Sequence, residues 1–378
     1  MEYKKLTDLL EFIVDNRGKT VPTSEAGIKL IATNCILNNR LFPVYEKVRY
    51  VSKEIYDTWF RSHPKPGDII FVNKGTPGKV CMVPEPIDFC IAQDMMAFRV
   101  DSSKIYNKYL FAVLRSSTIQ NQIANSTVGT LIPHYKKEQL KDLMIPVPDS
   151  IIQKKIGDIY YNLSYKIELN NQINNNLYEL GDNLYKEYFG NEKEELHTVK
   201  LSEVACNYDY KRKPMSSRER GIRKGNYPYY GATSIIDYVD DYIFDDIYVL
   251  MGEDGTVKTN DGKPILQYIW GKNWINNHAH VLQGTEISTE HLLFALRSVN
   301  VESLVTGAVQ LKINQENMNK IEFKIGNKKI NNEFNGFIQA IMNKIREIKE
   351  ENETLAQLRD TLLPKLMSGE IDLDNIEI

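Results

Sequence analysis

The stretch INNEFNGFIQAIMNKIREIKEENETLAQLRDTLLPKLM, residues 330–367, decides how this chain is built. Its apolar residues step by three and four, as Phe334, Ile338, Ile341, Ile345 and Ile348, then Leu355, Leu358 and Leu362, the spacing of a coiled-coil seam. At ~1.5 Å per residue such a helix spans ~55 Å, longer than the helices of ordinary compact domains, so its stripe has to be covered by another helix. The same chain supplies one. Residues 151–189, IIQKKIGDIYYNLSYKIELNNQINNNLYELGDNLYKEYF, place Ile156, Ile159, Ile167, Leu177, Leu180 and Leu184 where the later segment has Phe334, Phe337, Ile345, Leu355, Leu358 and Leu362, at a constant offset of 178. The pair predicts an antiparallel coiled coil about a pseudo-twofold axis. Asn174 and Asn352 fall at matching seam positions, where a dyad would bring their amides face to face and fix register; a generally Asn-rich, solvated helix is the plainer alternative. Pro364 removes a backbone donor and predicts a kink, with Ser368-Gly369 ending the helix. Asp372 to Ile378 read as a loose tail.

Working outward, the rest of the chain repeats as well. Asp68-Ile69-Ile70-Phe71-Val72 matches Asp246-Ile247-Tyr248-Val249-Leu250, each a strand running into a tight loop with Gly75/Gly78 or Gly252/Gly255. Tyr109-Leu110-Phe111-Ala112-Val113-Leu114-Arg115-Ser116 matches His291-Leu292-Leu293-Phe294-Ala295-Leu296-Arg297-Ser298 with helical apolar spacing. A small polar turn with Gly129 or Gly307 follows, then a short helical turn and a strand near Leu143–Pro148 or Ile321–Ile325. The reading is an α+β chain of four parts: a globular domain at 1–150, a long spacer helix at 151–190, a second globular domain at 191–329, and a second long helix with its tail at 330–378.

Composition narrows the function. The 378 residues leave room for two cores, and 47 Lys+Arg against 50 Asp+Glu give a net charge of −3, which excludes a wholly basic binder but not a local basic face. No apolar run reaches the ~20 residues of a membrane span, no leader is visible at the start, and four cysteines without a CxxC pair suit a reducing compartment; a cytoplasmic protein with no membrane contact is expected.

Catalytic motifs are missing. Gly75-Thr76-Pro77-Gly78-Lys79 is too short for a phosphate loop, no dinucleotide fingerprint occurs, and no Asn/Asp-Pro-Pro-aromatic tetrapeptide of amino-methyltransferases is present. Glu347-Ile348-Lys349 has a nuclease-like spacing but lies on the long helix without an upstream acid. His278 and His280 alternate as on one strand face, with no third metal ligand nearby in sequence. The chain is expected to be non-catalytic and to hold no metal or cofactor.

Basic residues gather instead. KRKPMSSRERGIRK, residues 211–224, holds Lys211, Arg212, Lys213, Arg218, Arg220, Arg223 and Lys224 against one acid, and runs into Tyr227-Pro228-Tyr229-Tyr230-Gly231. Cationic side chains neutralise phosphates, and Arg and Asn read base edges. The candidate DNA contacts are these seven with Tyr230; Lys74, Thr76 and Lys79 in the first glycine loop; Lys258, Thr259 and Asn260 in the second; and Lys272, Asn273 and Asn277. A solvated loop beside packed aromatics is the plainer reading. Asn174, Asn352, Leu177, Leu355, Ile167 and Ile345 are the candidate helix-pairing residues.

Leu358-Arg359-Asp360-Thr361-Leu362-Leu363-Pro364-Lys365-Leu366-Met367-Ser368-Gly369-Glu370-Ile371 resembles the ending of specificity subunits of type I restriction-modification enzymes. Tyr227–Ala232 with the Phe244-Asp245-Asp246-Ile247 strand, and Gly27-Ile28-Lys29-Leu30-Ile31-Ala32-Thr33-Asn34, resemble their target recognition domains. One departure is Lys186-Glu187-Tyr188-Phe189, where the second helix has Pro364-Lys365-Leu366-Met367. The resemblance implies a DNA-reading subunit whose two domains each read half of a split, asymmetric duplex target. It implies helices that set the gap and dock two methyltransferase subunits acting on adenine, joined by restriction subunits. It places S-adenosylmethionine, ATP and Mg on those partners. A coiled-coil adaptor that binds only proteins is the alternative.

Overall fold

The computed structural model describes residues 2–16, 20–129, 131–192, 194–307 and 309–372; most of the expected C-terminal tail lies outside them. The chain forms two compact units, residues 1–172 with 349–378, and residues 173–348. Each long helix therefore contributes its first part to one unit and its second part to the other.

In the first unit a four-stranded antiparallel sheet runs in the order Leu10–Asp15, Met95–Val100, Ile69–Val72, Val80–Met82. A three-stranded sheet pairs Ile28–Ile31 antiparallel to Arg49–Val51 and parallel to Phe89–Ile91. A two-stranded ribbon joins the chain start, Glu2–Lys5, to Met144–Val147. The second unit repeats the plan. Its first sheet has the order Ala205–Asn207, Ala279–Gly284, Tyr248–Gly252, Leu266–Ile269. Its second has the order Ile235–Val239, Lys224–Tyr230, Lys272–Ile275, Phe244–Asp245, again with one parallel pair, Lys224–Tyr230 with Lys272–Ile275. Leu196–Lys200 pairs with Glu322–Gly326. The α+β internal repeat is thus carried into strand order and into the direction of each pairing.

One short helix in each unit lies behind the first sheet. Asn107–Arg115 buries Tyr109 to Leu114 completely, and Thr289–Ser298, capped by Ser288 Oγ on the His291 N–H, buries Leu292 to Leu296. Fully burying a Leu or Phe side chain is worth ~1.5–3 kcal/mol, so these helices anchor their sheets. His291 is enclosed by the rings of Phe189 and Phe334, and burial pushes its imidazole down to about 4.

The long helices run Ser150–Phe189 and Lys328–Ser368. In the first unit Tyr160 lies 5.6 Å under Arg359 while Asn170 meets Asn352, and Leu363 and Leu366 enter the core beside Ile156. In the second, Tyr185 and Phe189 pack on Phe334, with Leu177 beside a core that holds Ile338, Met342 and Ile345. Within each unit, rising numbers on one helix meet falling numbers on the other, so the pairing is antiparallel. Two glycines of the first helix permit close approach: a Cβ at Gly157 would stand 2.6 Å from the Tyr109 backbone nitrogen, and one at Gly181 would stand 2.4 Å from the Phe294 ring.

The second helix ends at Ser368, with Gly369 at φ 74° just beyond it, as the Ser368-Gly369 pair predicts, and Pro364 lies inside it. One detail differs from the sequence reading. The expected Asn174–Asn352 pair is replaced by another: Asn352 accepts from Asn170 at 2.9 Å and donates to Asn171 at 3.3 Å, while the buried Asn174 Oδ1 has no hydrogen-bond partner among the described residues. The helices cross about one turn away from the crossing that an exact match of the two asparagines would demand. Among the described residues no helix is long and apolar enough to cross a membrane.

Candidate nucleic-acid interface

In both units the loops at one end of the first sheet converge. In the second unit they are the segment after Asp209, the turn that follows Gly252, the turn before Ala279, and the stretch from Thr306 to Ile313. An ion network ties them together. Arg212 sits with 12% of its side chain exposed, 2.7 Å from Glu253 and 3.3 Å from Asp209, and donates to the Ala279 carbonyl at 2.7 Å. Lys312 reaches Glu253 at 3.2 Å, and buried His280 lies 2.6 Å from Asp209 and 2.8 Å from the Ile313 carbonyl. Burial pushes both carboxyls up, yet the hydrogen bond and charge of His280 on Asp209, and of Arg212 on Glu253, hold each below the usual carboxylate range. Folding therefore brings two acids to His280 that its sequence neighbours do not offer. Asp209, Glu253 and His280 lie close enough to ligate a metal ion, but Arg212 and Lys312 already balance the acids, and the set reads as an internal salt network. His278 precedes its strand and contacts Asp254 at 2.7 Å, so the two histidines do not share a strand face.

The basic segment proves to be two populations. Ser216 caps a short helix, Ser217–Ile222, with Glu219 returning the bond, and three guanidinium groups of the segment are already paired. Arg212 belongs to the network above. Arg220 donates to the Met215 carbonyl and stacks on Tyr229, and Arg223 pairs with Asp240 at 2.8 Å over the ring of Trp274. Lys224 pairs with Asp237 at 2.6 Å, a contact that leads the shift of that carboxyl below its usual range. Lys211 lies over the Tyr208 ring at 4.7 Å. Lys213 and Arg218 are exposed and have no ion pair among the described residues.

The remaining candidates divide likewise. Asn273 is 1% exposed and donates to the Trp270 and Gly271 carbonyls, so it closes a turn and cannot read a base without unfolding it. Tyr230 packs against the core cluster of Phe244 and Leu250. Thr259 donates to Asp261 and accepts from the Lys263 N–H, Lys258 pairs with Glu302 at 2.8 Å, and Asn260 is exposed between them. Lys272 stands 4.6 Å over the Tyr242 ring, and Asn277 is exposed beside the Arg212 network. In the first unit Lys74 and Thr76 are exposed, Lys74 with a long 3.7 Å contact to Asp94, and Lys79 is half-buried. Of the helix-pairing set, Ile167 and Ile345 are buried, and Leu177 and Leu355 are partly buried.

The candidates that stay outward are Lys74 and Thr76 in the first unit and Lys213, Arg218, Asn260 and Asn277 in the second, side chains of the kinds that track phosphates and read base edges. The sequence model of the type I restriction modification DNA specificity domain matches residues 1–179 and again residues 193–357. The chain belongs to this family. A putative type I restriction enzyme specificity subunit of Haemophilus influenzae is 34% identical over 135 residues, covering 35% of this chain and 34% of that protein. The specificity subunit of the HindI type I restriction enzyme, from the same organism, is 30% identical over 131 residues. The chain thus spans about a third of the length of these two relatives, 34% and 28%. The MjaIX type I restriction enzyme specificity subunit of Methanocaldococcus jannaschii is 22% identical over 362 residues, 86% of this chain and 82% of that one. The crystal structure of a type I restriction-modification system S subunit from M. genitalium superposes with a TM-score of 0.58 over 97% of this chain and 95% of that chain, at 16% identity, a likeness of fold.

The two copies of this domain share a framework and differ at its loop end. Two copies of one loop-bearing fold share their strand order, while the loops differ: the first unit has Met96 and Asn73 at the strand positions that carry His280 and Glu253 in the second.

Proposed function

We propose that this chain is the DNA sequence-specificity subunit of a type I restriction-modification complex. Each unit's loop end reads one half of a split, asymmetric duplex target. The observation that carries this reading is the double match of the family to two copies of one fold whose outward loops are different. Lys213, Arg218 and Lys74 supply charge for phosphates, and Asn260 and Asn277 supply amides for base edges.

The subunit itself performs no chemistry; it positions. Methyltransferase subunits dock along the long helices, where Tyr165, Leu169, Leu180, Phe337 and Leu358 stay 37% or more exposed on otherwise packed helices. Those partners hold S-adenosylmethionine and take adenine out of the stack, a step that costs a few kcal/mol and that duplex binding must offset. Restriction subunits with ATP and Mg complete the assembly, in the cytoplasm where the DNA is. Helices of 40 and 41 residues, ~60 Å at 1.5 Å per residue, are long enough to set a gap of more than one turn of DNA, ~34–36 Å.

Exchanging residues 1–150 for those of another such subunit tests the division of labour. The methylated motif should change in one half only. A swap that altered both halves would refute it, and a chain that captured protein partners without any effect on DNA would be the coiled-coil adaptor instead.

A further inference from the structure

The strongest feature that the proposed function does not use is a pair of apolar tips. Val128 and His134 exchange backbone hydrogen bonds at 3.0 and 2.8 Å, and Thr306 and Lys312 do the same at 2.8 Å each. The resulting turns are tied to the glycine loops by matching bonds: Gly75 N–H to the Pro133 carbonyl at 2.8 Å, and Gly255 N–H to the Leu311 carbonyl at 2.9 Å. Tyr135 and Ile313 root them in the core, 1% and 0% exposed. Gly129 and Gly307 hold φ of 92° and 90°, where a Cβ would strike the carbonyl oxygens of Ile132 and Gln310. The flanks of the turn are therefore built alike in the two units.

Its tip is apolar in both copies. Leu131 is 92% exposed with Ile132 at 53%, and Val309 is fully exposed with Leu311 at 38%. Single exposed apolar residues need no explanation, but the same placement on two equally braced turns does. A protein partner is a poor fit, since a stable interface covers ~800 Å² per side and these are one or two side chains standing among polar and cationic neighbours. The bonded glycine loops carry exposed Lys74 and Thr76 in the first unit, and Asp254 with Lys258, itself paired with Glu302, in the second. An exposed apolar point beside a polar, charged loop suits a stacked duplex, into which such a side chain can wedge between base steps.

We infer that Leu131 and Val309 are DNA wedges, one for each half-site, that open a base step beside the residues reading sequence. This rests on the specificity reading and adds deformation of the duplex as part of recognition. The test uses the full chain assembled with its methyltransferase subunits on its mapped target. 2-Aminopurine is placed at successive steps of each half-site, away from the methylated adenine. In the unsubstituted complex one step in each half-site should brighten as it unstacks. Leu131→Ser should abolish the signal in one half-site and Val309→Ser in the other, each with binding about tenfold weaker; Leu131→Ile should retain it. Both side chains are solvent-exposed, so the variants should fold with unchanged melting temperature. If the unsubstituted complex binds but L131S/V309S leaves fluorescence and affinity unaltered, the wedge is refuted while the specificity reading stands. If the double variant keeps its DNA signal and loses methyltransferase capture, the tips are protein contacts and the wedge is equally refuted. Failure of the unsubstituted complex to bind any duplex overturns the specificity reading itself.

Discussion

Replacing glycine by alanine inside a helix ordinarily stabilises a protein by ~0.5–1 kcal/mol, since the unfolded chain loses freedom and the helix gains a better former. The first long helix should reverse that sign at Gly157. There a Cβ would sit 2.6 Å from the Tyr109 nitrogen and 3.0 Å from the Lys108 carbonyl carbon, both backbone atoms of a short helix whose own side chains are locked in the core. Backbone cannot swing aside as a side-chain end can, so the two helices must separate, and overpacking of this kind costs ~1–3 kcal/mol. Net of the propensity gain, Gly157→Ala is expected to destabilise by about 1–2 kcal/mol. Gly336 on the second long helix is the matched control, with nothing within 4 Å of its Cβ position; Gly336→Ala should stabilise by about 0.5–1 kcal/mol. Urea unfolding of the full chain followed by far-ultraviolet circular dichroism, with amide exchange assigning the change to Asn107–Arg115, measures both. If G157A proved as stable as G336A, the close packing of the long helix on the Tyr109 helix would be wrong.

Three further outcomes are expected. His291 is held neutral near 4 in the fold and titrates near 6.5 when unfolded, so its folded value is depressed: stability is complete above 6.5 and is lost as pH falls towards 4, by on the order of 3 kcal/mol; His291→Gln should flatten that slope in pH-dependent urea titrations, and an unchanged slope would exclude His291 as its source. Asn174→Leu should raise the melting temperature, because a buried carbonyl oxygen without a partner costs ~1–3 kcal/mol, whereas Asn352→Leu should lower it by removing one acceptor of buried Asn170, which keeps Glu351, and the donor to the Asn171 amide oxygen; equal effects would contradict the register seen here. Lys213→Ala and Arg218→Ala should weaken duplex binding at all sequences and reduce the salt slope by about one each, while Arg212→Ala should chiefly lower stability by removing the guanidinium that half-buried Asp209 and Glu253 share; fluorescence anisotropy across a salt series separates the two classes.

The large-scale plan was legible because its signals are periodic. The seam of residues 330–367 and its copy at 151–189 repeat every three to four residues over ten turns, and nothing but a long paired helix satisfies that pattern. Register was not legible, because the seam offers Asn170, Asn171 and Asn174 within about one turn and an internal offset does not say where two helices cross. The basic run at 211–224 was visible as charge, but the acids that claim it lie 13 residues away at Asp237, 17 at Asp240 and 41 at Glu253, and only the folded sheet brings them back. Asn273 misled for the same reason: an amide in a polar stretch looks available until the turn it closes is seen. The apolar tips left a trace in the sequence, Gly129 and Gly307 each followed by apolar residues where a solvated turn would be polar, but only the paired backbone bonds to Gly75 and Gly255 show that the two turns are one design.

The central claim is that this chain decides which sequence its partners modify. Base-resolved adenine methylation of genomic DNA from cells carrying the chain with its methyltransferase subunits, compared with cells lacking only this chain, addresses it most directly. A motif of two unlike halves around a fixed gap, present in the first and absent from the second, is the expected result; methylation that is the same with and without the chain would contradict it.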